Sequence, residues 1–172
     1  NLRSFAATTA LLASSILAGC GGDKTQGSGA DTASTTVAAT TPDAGGTPGE
    51  ATYGQVCASC HQATGLGTEG TFPPLKGSNW LLGNPDVPIA IVLAGLQGEI
   101  AVSGKTYSGA MQAWGMLSDD DVAAVLTYAR SQWGNAAGPV TGAQVKAVRD
   151  KIGGRTAWTV AELKKEFPGA GT

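Results

Sequence analysis

The stretch Cys57-Ala58-Ser59-Cys60-His61 decides how the rest of this chain is interpreted. It is a Cys-x-x-Cys-His motif, the attachment signature of a covalently bound c-type haem. Two thiols add across the two vinyl groups of the porphyrin, and the two-residue spacing places both sulfurs along one edge of the ring. The residue that follows, His61, can then coordinate the iron from the proximal side. The motif therefore predicts one haem c, bound through Cys57 and Cys60.

A Cys-x-x-Cys pair can also belong to a zinc site, a thioredoxin-type redox site or a disulfide, but this sequence does not favour any of the three. A closed zinc site needs four ligands, but the sequence offers only one further cysteine, Cys20, and no histidine besides His61. A thioredoxin-type pair requires a βαβ setting, whereas the residues before Cys57 are typical of a helix. A structural disulfide across two residues is strained and uncommon.

The N-terminal region is typical of an export signal. Arg3 provides a short positive region, and residues 5–17 form a small, apolar run that is too short to span a bilayer, which takes about 20 residues. The run ends in Leu17-Ala18-Gly19-Cys20, which resembles the lipobox of bacterial lipoproteins. We expect residues 1–19 to be a lipoprotein signal peptide and Cys20 to be the lipidated first residue of the mature chain; an ordinary signal peptide with an incidental Cys20 is the alternative.

Residues 20–46 carry almost nothing apolar beyond Ala and Val37. Such a segment cannot bury enough surface to offset its ordering entropy, so it is predicted to be a flexible tether with a root-mean-square span of about 28 Å. The predicted location is periplasmic or otherwise extracytoplasmic, at a membrane surface. The net charge of −2 gives no indication of a nucleic-acid partner.

Helix signals organise the remainder into a domain over residues 47–134 and a helical extension over 135–172, packed on the domain. The sequence Thr47-Pro48-Gly49-Glu50 predicts a helix start, with the helix running to about Ala58. Further helices are predicted from about Asp86 to Leu96 and from Ser118 to about Trp133. In the extension, residues 141–152 and 159–167 each begin with a capping box. A short hairpin around Ser103-Gly104 is an additional possibility within residues 100–109.

A Met thioether often lies opposite the His in low-spin haem c centres, and the sequence offers two candidates for this second ligand, Met111 and Met116. Met116 stands two residues before the Ser118 cap, so we expect it to pack beneath that helix. Met111 is predicted to lie in a loop, with freedom to reach the iron. The spacing therefore favours His61 and Met111 as the metal ligands.

From Gly49 to Trp133 the chain resembles the class I mono-haem cytochromes c. Gly49 and Tyr53 stand eight and four residues before Cys57, where that family has the glycine and aromatic of its N-terminal helix. Val125 and Tyr128 match positions of its C-terminal helix. The resemblance implies an all-α cytochrome c fold, in which these two helices cross around one covalent haem.

The resemblance also implies roles for individual residues. Pro73 matches the Pro-x-Leu loop whose Pro carbonyl accepts a hydrogen bond from the proximal His, and Met111 matches the axial Met. Trp80 and Tyr107 resemble residues near the haem propionates, although each is equally compatible with a core aromatic. One departure is Gln112, where relatives usually have Pro after the Met, so the Met loop is expected to be less rigid.

These observations predict an electron carrier and not an enzyme. A peroxidase or gas sensor needs an open iron position, which Met111 argues against. Expected partners are a quinol-oxidising complex or dehydrogenase as donor, and a terminal oxidase or photosynthetic reaction centre as acceptor. The protein can equally be a free shuttle or a fixed subunit of a larger complex. Uncharged residues near the thioether edge, among them Gln62, Thr64 and Gln112, predict docking that depends weakly on salt.

Overall fold

The computed structural model describes residues 46–172. The predicted signal peptide, the predicted lipidation site Cys20 and nearly all of the predicted tether lie outside the described residues. The described elements, in chain order, are α1 Pro48–Val56, α2 Ala58–His61, α3 Asn79–Leu82, α4 Asp86–Ala94, β1 Leu96–Val102, β2 Lys105–Met111, α5 Asp119–Ser131, α6 Gly142–Ile152 and α7 Val160–Glu166. No helix within residues 46–172 has the length and apolar character that a membrane crossing requires.

Helices α1 and α5 pack against each other through a glycine. The Thr47 hydroxyl accepts a hydrogen bond from the Glu50 N–H, which caps α1 as predicted. At Gly49 the backbones are so close that a Cβ would lie 2.2 Å from the carbonyl oxygen of Ala124 in α5. One turn further on, the rings of Tyr53 and Tyr128 pack with centroids 5.5 Å apart. The crossing therefore fixes the direction in which α1 enters the haem-attachment motif.

The prediction of an all-α fold was wrong in one part, because an antiparallel hairpin follows α4. Strands β1 and β2 pair from Leu96↔Met111 to Val102↔Lys105. The two residues between them, Ser103 and Gly104, have φ values of 50° and 77°, as a type I′ turn requires. The hairpin is centred where the sequence indicated but is longer than predicted, so Met111 ends a strand and does not lie in a loop.

The segment 135–172 is helical and packs on the rest of the described chain. Both predicted capping boxes are present, at Thr141 with Gln144 and at Thr159 with Glu162. Helix α6 contacts α4 and α5, and α7 contacts β1. Between these helices, Trp158 is almost completely buried, with 2% of its surface exposed.

Two buried polar side chains tie the ends of helices together. The Arg130 guanidinium of α5 donates from Nε to the Gly138 carbonyl (2.8 Å), and from one terminal nitrogen to the carbonyls of Leu81 and, at 3.3 Å, Gly83. Asn135 accepts from the Gly77 N–H (2.9 Å), and its amide nitrogen donates to the carbonyls of Leu75 and Ala129. The loop that contains Pro73 is thereby fastened to the end of α5.

Candidate haem site

The motif residues occupy one helical turn at the end of α1. Cys57 is the C-cap of α1, with its N–H bonded to the Tyr53 carbonyl, and α2 begins at the next residue. The His61 N–H donates to the Cys57 carbonyl at 2.9 Å. Residues three and four apart lie on the same face of a helix, so Cys57, Cys60 and His61 project together. Both cysteines are half-buried, and burial, with Cys60 nearby, raises the pKa of an unmodified Cys57 thiol to about 11.

The imidazole of His61 is buried and oriented by one hydrogen bond. Its Nδ1 lies 3.0 Å from the Pro73 carbonyl oxygen, which is the contact that the family resemblance implied. Because a carbonyl can only accept, Nδ1 carries the proton, and Nε2 keeps its lone pair. Burial lowers the pKa of His61, and the Pro73 hydrogen bond opposes that shift in part. The ring is thus held in the neutral tautomer that a metal ligand needs.

All seven residues predicted for the cofactor site line one cavity of about 420 Å³: Cys57, Cys60, His61, Pro73, Trp80, Tyr107 and Met111. Its walls come from α1, α2, the Pro73 loop, α3, α4, the hairpin and α5. Among the described residues, no Asp, Glu, Lys or Arg contributes to the lining. The cavity is therefore an apolar slot whose sulfur and nitrogen donors match those of a covalently attached haem.

The two methionines differ sharply in their surroundings. Met111 is partly buried and packs against the core. Met116 does not line the cavity, and 83% of its surface is exposed. The expectation that Met116 packs beneath α5 was wrong. The residue that does so is Leu117, which packs on the core directly before the Ser118 cap. Of the described methionines, Met111 alone lines the cavity.

Comparison with known proteins places this arrangement in a family. The family model of the cytochrome c oxidase, cbb3-type, subunit III matches residues 44–128. Cytochrome c-552 of Thermus thermophilus is 39% identical over 104 residues, which cover 55% of this chain and 79% of that protein. The chain belongs to the c-type cytochrome family.

More distant similarity extends to subunits of larger assemblies. The fructose dehydrogenase cytochrome subunit of Gluconobacter japonicus is 37% identical over 112 residues, covering 60% of this chain and 22% of that protein. The cytochrome c subunit of the quinone alcohol dehydrogenase of Komagataeibacter europaeus is 36% identical over 107 residues, with the same two coverages. As a c-type cytochrome, the protein carries haem c covalently through Cys57 and Cys60 and transfers electrons without being an enzyme. Its location is extracytoplasmic.

The two aromatics predicted beside the haem contribute differently to the cavity wall. The indole N–H of Trp80 donates to the Ala101 carbonyl in β1 at 2.8 Å, so this donor is already used within the protein. Tyr107 lies in β2 opposite Ile100 and is 6% exposed. Trp80 therefore joins α3 to the hairpin, while the Tyr107 side chain lines the cavity without a hydrogen-bond partner among the described residues.

Sequence reasoning missed Ser78 as a residue of this site. It immediately precedes α3, where its residue type signals a helix cap, yet its side chain makes no capping hydrogen bond. Ser78 is 3% exposed and lines the cavity. The sequence signals only a helix cap at Ser78. Whether the hydroxyl caps α3 or lines the cavity depends on the tertiary packing of α3, which the local sequence does not determine.

Proposed function

We propose that His61 and Met111 are the two axial ligands of the haem iron in a one-electron carrier that is tethered to a membrane. The observation that carries this proposal is the convergence of both side chains on the cavity that the two cysteines also line. When bound, the haem supplies an iron that alternates between the ferrous and ferric states. If His61 and Met111 both hold the iron, they would leave no coordination position for a substrate, and the protein around the metal would change little when an electron is gained or lost.

The supporting residues act on the ligands and not on the electron directly. The Pro73 carbonyl fixes the rotation of the His61 ring and increases the electron density on Nε2. The thioether of Met111 is a softer ligand that favours the ferrous state and raises the reduction potential. The apolar lining acts in the same direction, because it disfavours the additional positive charge of the ferric iron.

A comparison of the two methionines tests the axial ligation. In the Met111→Ala protein we expect the near-infrared band of Met-to-ferric-iron coordination to disappear and the ferrous form to bind carbon monoxide. The matched change Met116→Ala removes an exposed thioether from the chain between β2 and α5 and should leave both properties unchanged. Loss of the band in the Met116 variant, or its persistence in the Met111 variant, would overturn the assignment.

For the partners, we propose a dehydrogenase or quinol-oxidising complex as donor and a terminal oxidase or photosynthetic reaction centre as acceptor. The names of the relatives support this, since they describe dehydrogenase cytochrome subunits and the matching family model describes an oxidase subunit. Gln62, Thr64, Gln112 and Ala113, near the predicted docking edge, are exposed and uncharged. Co-purification with a membrane complex would distinguish a fixed subunit from a free shuttle.

The proposed anchor is a lipid on Cys20, with residues 20–46 acting as the tether. The support comes from the lipobox-like sequence before Cys20 and from the polar, low-complexity composition that follows it. The Cys20→Ser protein should move from the membrane fraction to the soluble extracytoplasmic fraction, whereas Cys57 and Cys60 should still bind haem. Retention of the Cys20→Ser protein in membranes would exclude a lipid anchor at this residue.

A further inference from the structure

Three chain segments lie side by side at Met111: the end of β2, the start of β1 and the extension at Trp158. Met111 is the last residue of β2 and pairs with Leu96, the first residue of β1. On its other side, Leu96 forms a parallel bridge with Trp158, which lies in the extension between α6 and α7. The Trp158 N–H donates to the Gly95 carbonyl at 3.0 Å, and the Gln97 N–H donates to the Trp158 carbonyl at 2.8 Å. The extension thus continues the hairpin by a short third segment at the end that carries Met111.

Trp158 is itself held on all sides. Its indole N–H donates to the Ala90 carbonyl of α4 at 3.1 Å. The ring of Phe167 packs edge-on against it at 5.9 Å, and the Arg155 guanidinium lies 3.3 Å above its face. With 2% of its surface exposed, Trp158 has no room to move without disturbing α4 or the hairpin.

The chain after Met111 provides little support of its own. Gln112 and Ala113 are exposed, and the next backbone anchor is the hydrogen bond from the Trp114 N–H to the Val92 carbonyl. Gln112 also lacks the fixed φ that a proline would provide. On the other side, Gly95 is so close that a Cβ there would lie 2.6 Å from the Met111 carbonyl oxygen. The position of Met111 therefore depends on the β1 edge that Trp158 secures.

We infer that Trp158 is a positioning residue for the Met111 ligand: it holds β1 against α4, and β1 in turn holds Met111 in place. This gives the C-terminal extension a role in the redox centre, although it contributes no residue to the cavity lining. The inference rests on the proposed ligation of the iron by Met111.

The test compares Trp158→Phe with Val145→Ala in the full-length holoprotein. The Phe variant keeps an aromatic ring but loses the indole hydrogen bond to Ala90, while Val145 is a fully buried residue of α6 elsewhere in the extension. In the Trp158 variant we expect a weaker Met-to-ferric-iron band and about fivefold stronger carbon monoxide binding to the ferrous form, the change that one lost hydrogen bond produces. Val145→Ala should lower the melting temperature but leave the band and carbon monoxide binding as in the wild type.

The outcomes distinguish failure of the positioning role of Trp158 from failure of the proposed iron ligation by Met111. If Met111→Ala removes the band but folded Trp158→Phe behaves as the wild type does, the ligation stands and the positioning role is refuted. If Val145→Ala weakens the band as much as Trp158→Phe does, general destabilisation explains the effect and the positioning role is again refuted. If Met111→Ala leaves the band unchanged, the proposed ligation itself is wrong.

Discussion

The crossing of α1 and α5 at Gly49 gives the sharpest quantitative prediction. In the Gly49→Ala protein the new Cβ would lie 2.2 Å from the Ala124 carbonyl oxygen and 2.9 Å from Cβ of Tyr128. A carbon–oxygen contact normally needs about 3.3 Å, so the helices must separate by roughly 1 Å. Both contacts are to atoms that cannot rotate away, because one belongs to the backbone and the other is directly bonded to it.

The expected loss of stability follows from two opposing effects. Overpacking of this severity costs about 3 kcal/mol, the upper end of the usual range. Alanine in place of glycine in a helix returns about 1 kcal/mol, which leaves a net loss of about 2 kcal/mol. Gly54 lies in the same helix, and a Cβ added there would meet no atom within 4 Å, so Gly54→Ala should gain about 1 kcal/mol by propensity alone.

Thermal unfolding of the two oxidised holoproteins, followed by far-ultraviolet circular dichroism, measures this difference. For a domain of this size each kcal/mol shifts the melting temperature by about 3–5 °C. Gly49→Ala should therefore melt about 6–10 °C below the wild type, and Gly54→Ala about 3–5 °C above it. If the two variants shift by similar amounts in the same direction, the close approach at Gly49 does not limit the crossing.

Three further predictions concern the buried side chains Arg130 and Asn135 and the docking edge. Arg130→Met should lower the free energy of unfolding in urea by about 2–4 kcal/mol, since it leaves buried carbonyl acceptors unpaired; a change below about 1 kcal/mol would contradict this. Asn135→Ala should cost about 2–3 kcal/mol by loss of its hydrogen bonds, whereas Lys164→Ala, at an exposed position of α7, should cost little. Electron transfer with the physiological partner should slow only slightly between low and high salt, measured by stopped-flow; a steep decline would indicate charged docking instead.

The elements that the sequence predicted well have strong local signals. The caps at Thr47 and Ser118 and the two capping boxes of the extension are each determined by residues three positions apart, so no knowledge of tertiary structure is needed. The haem-attachment motif is local in the same sense. These signals fix where helices begin, and therefore also which face of α1 and α2 carries Cys57 and His61.

The hairpin was underestimated because its strands lack a clear alternating pattern. Strand β1 has three consecutive exposed residues, 97–99, between buried Leu96 and Ile100, and each strand contains a glycine. Glycine has low β-propensity and marks turns as often as strands. The pairing that extends β2 to Met111 is a tertiary feature, and so the sequence indicated the turn at Ser103 and Gly104 but not the strand length.

The error over Met116 has a specific physical cause. A helix that starts at a cap is stapled by the residue directly before the cap and the fourth helical residue, which here are Leu117 and Val122. Leu117 packs on the core and Val122 is fully buried. Met116 stands one position too early to take part, so it remains exposed. The hydrophobic staple between the residue before the cap and the fourth helical residue therefore predicts from the sequence that Leu117, and not Met116, packs on the core.

The residues proposed to hold the iron depend on contacts that are distant in sequence. His61 is oriented by Pro73, and the loop containing Pro73 is fastened to α5 by Asn135. Met111 is held through β1 by Trp158. The Asn135 support requires α5 to be in place, and the Trp158 support requires the extension to pack on α4 and β1. Ligation by the native pair and formation of the complete tertiary structure should therefore occur together, and the C-terminal extension contributes to the redox centre through the order it imposes on the hairpin.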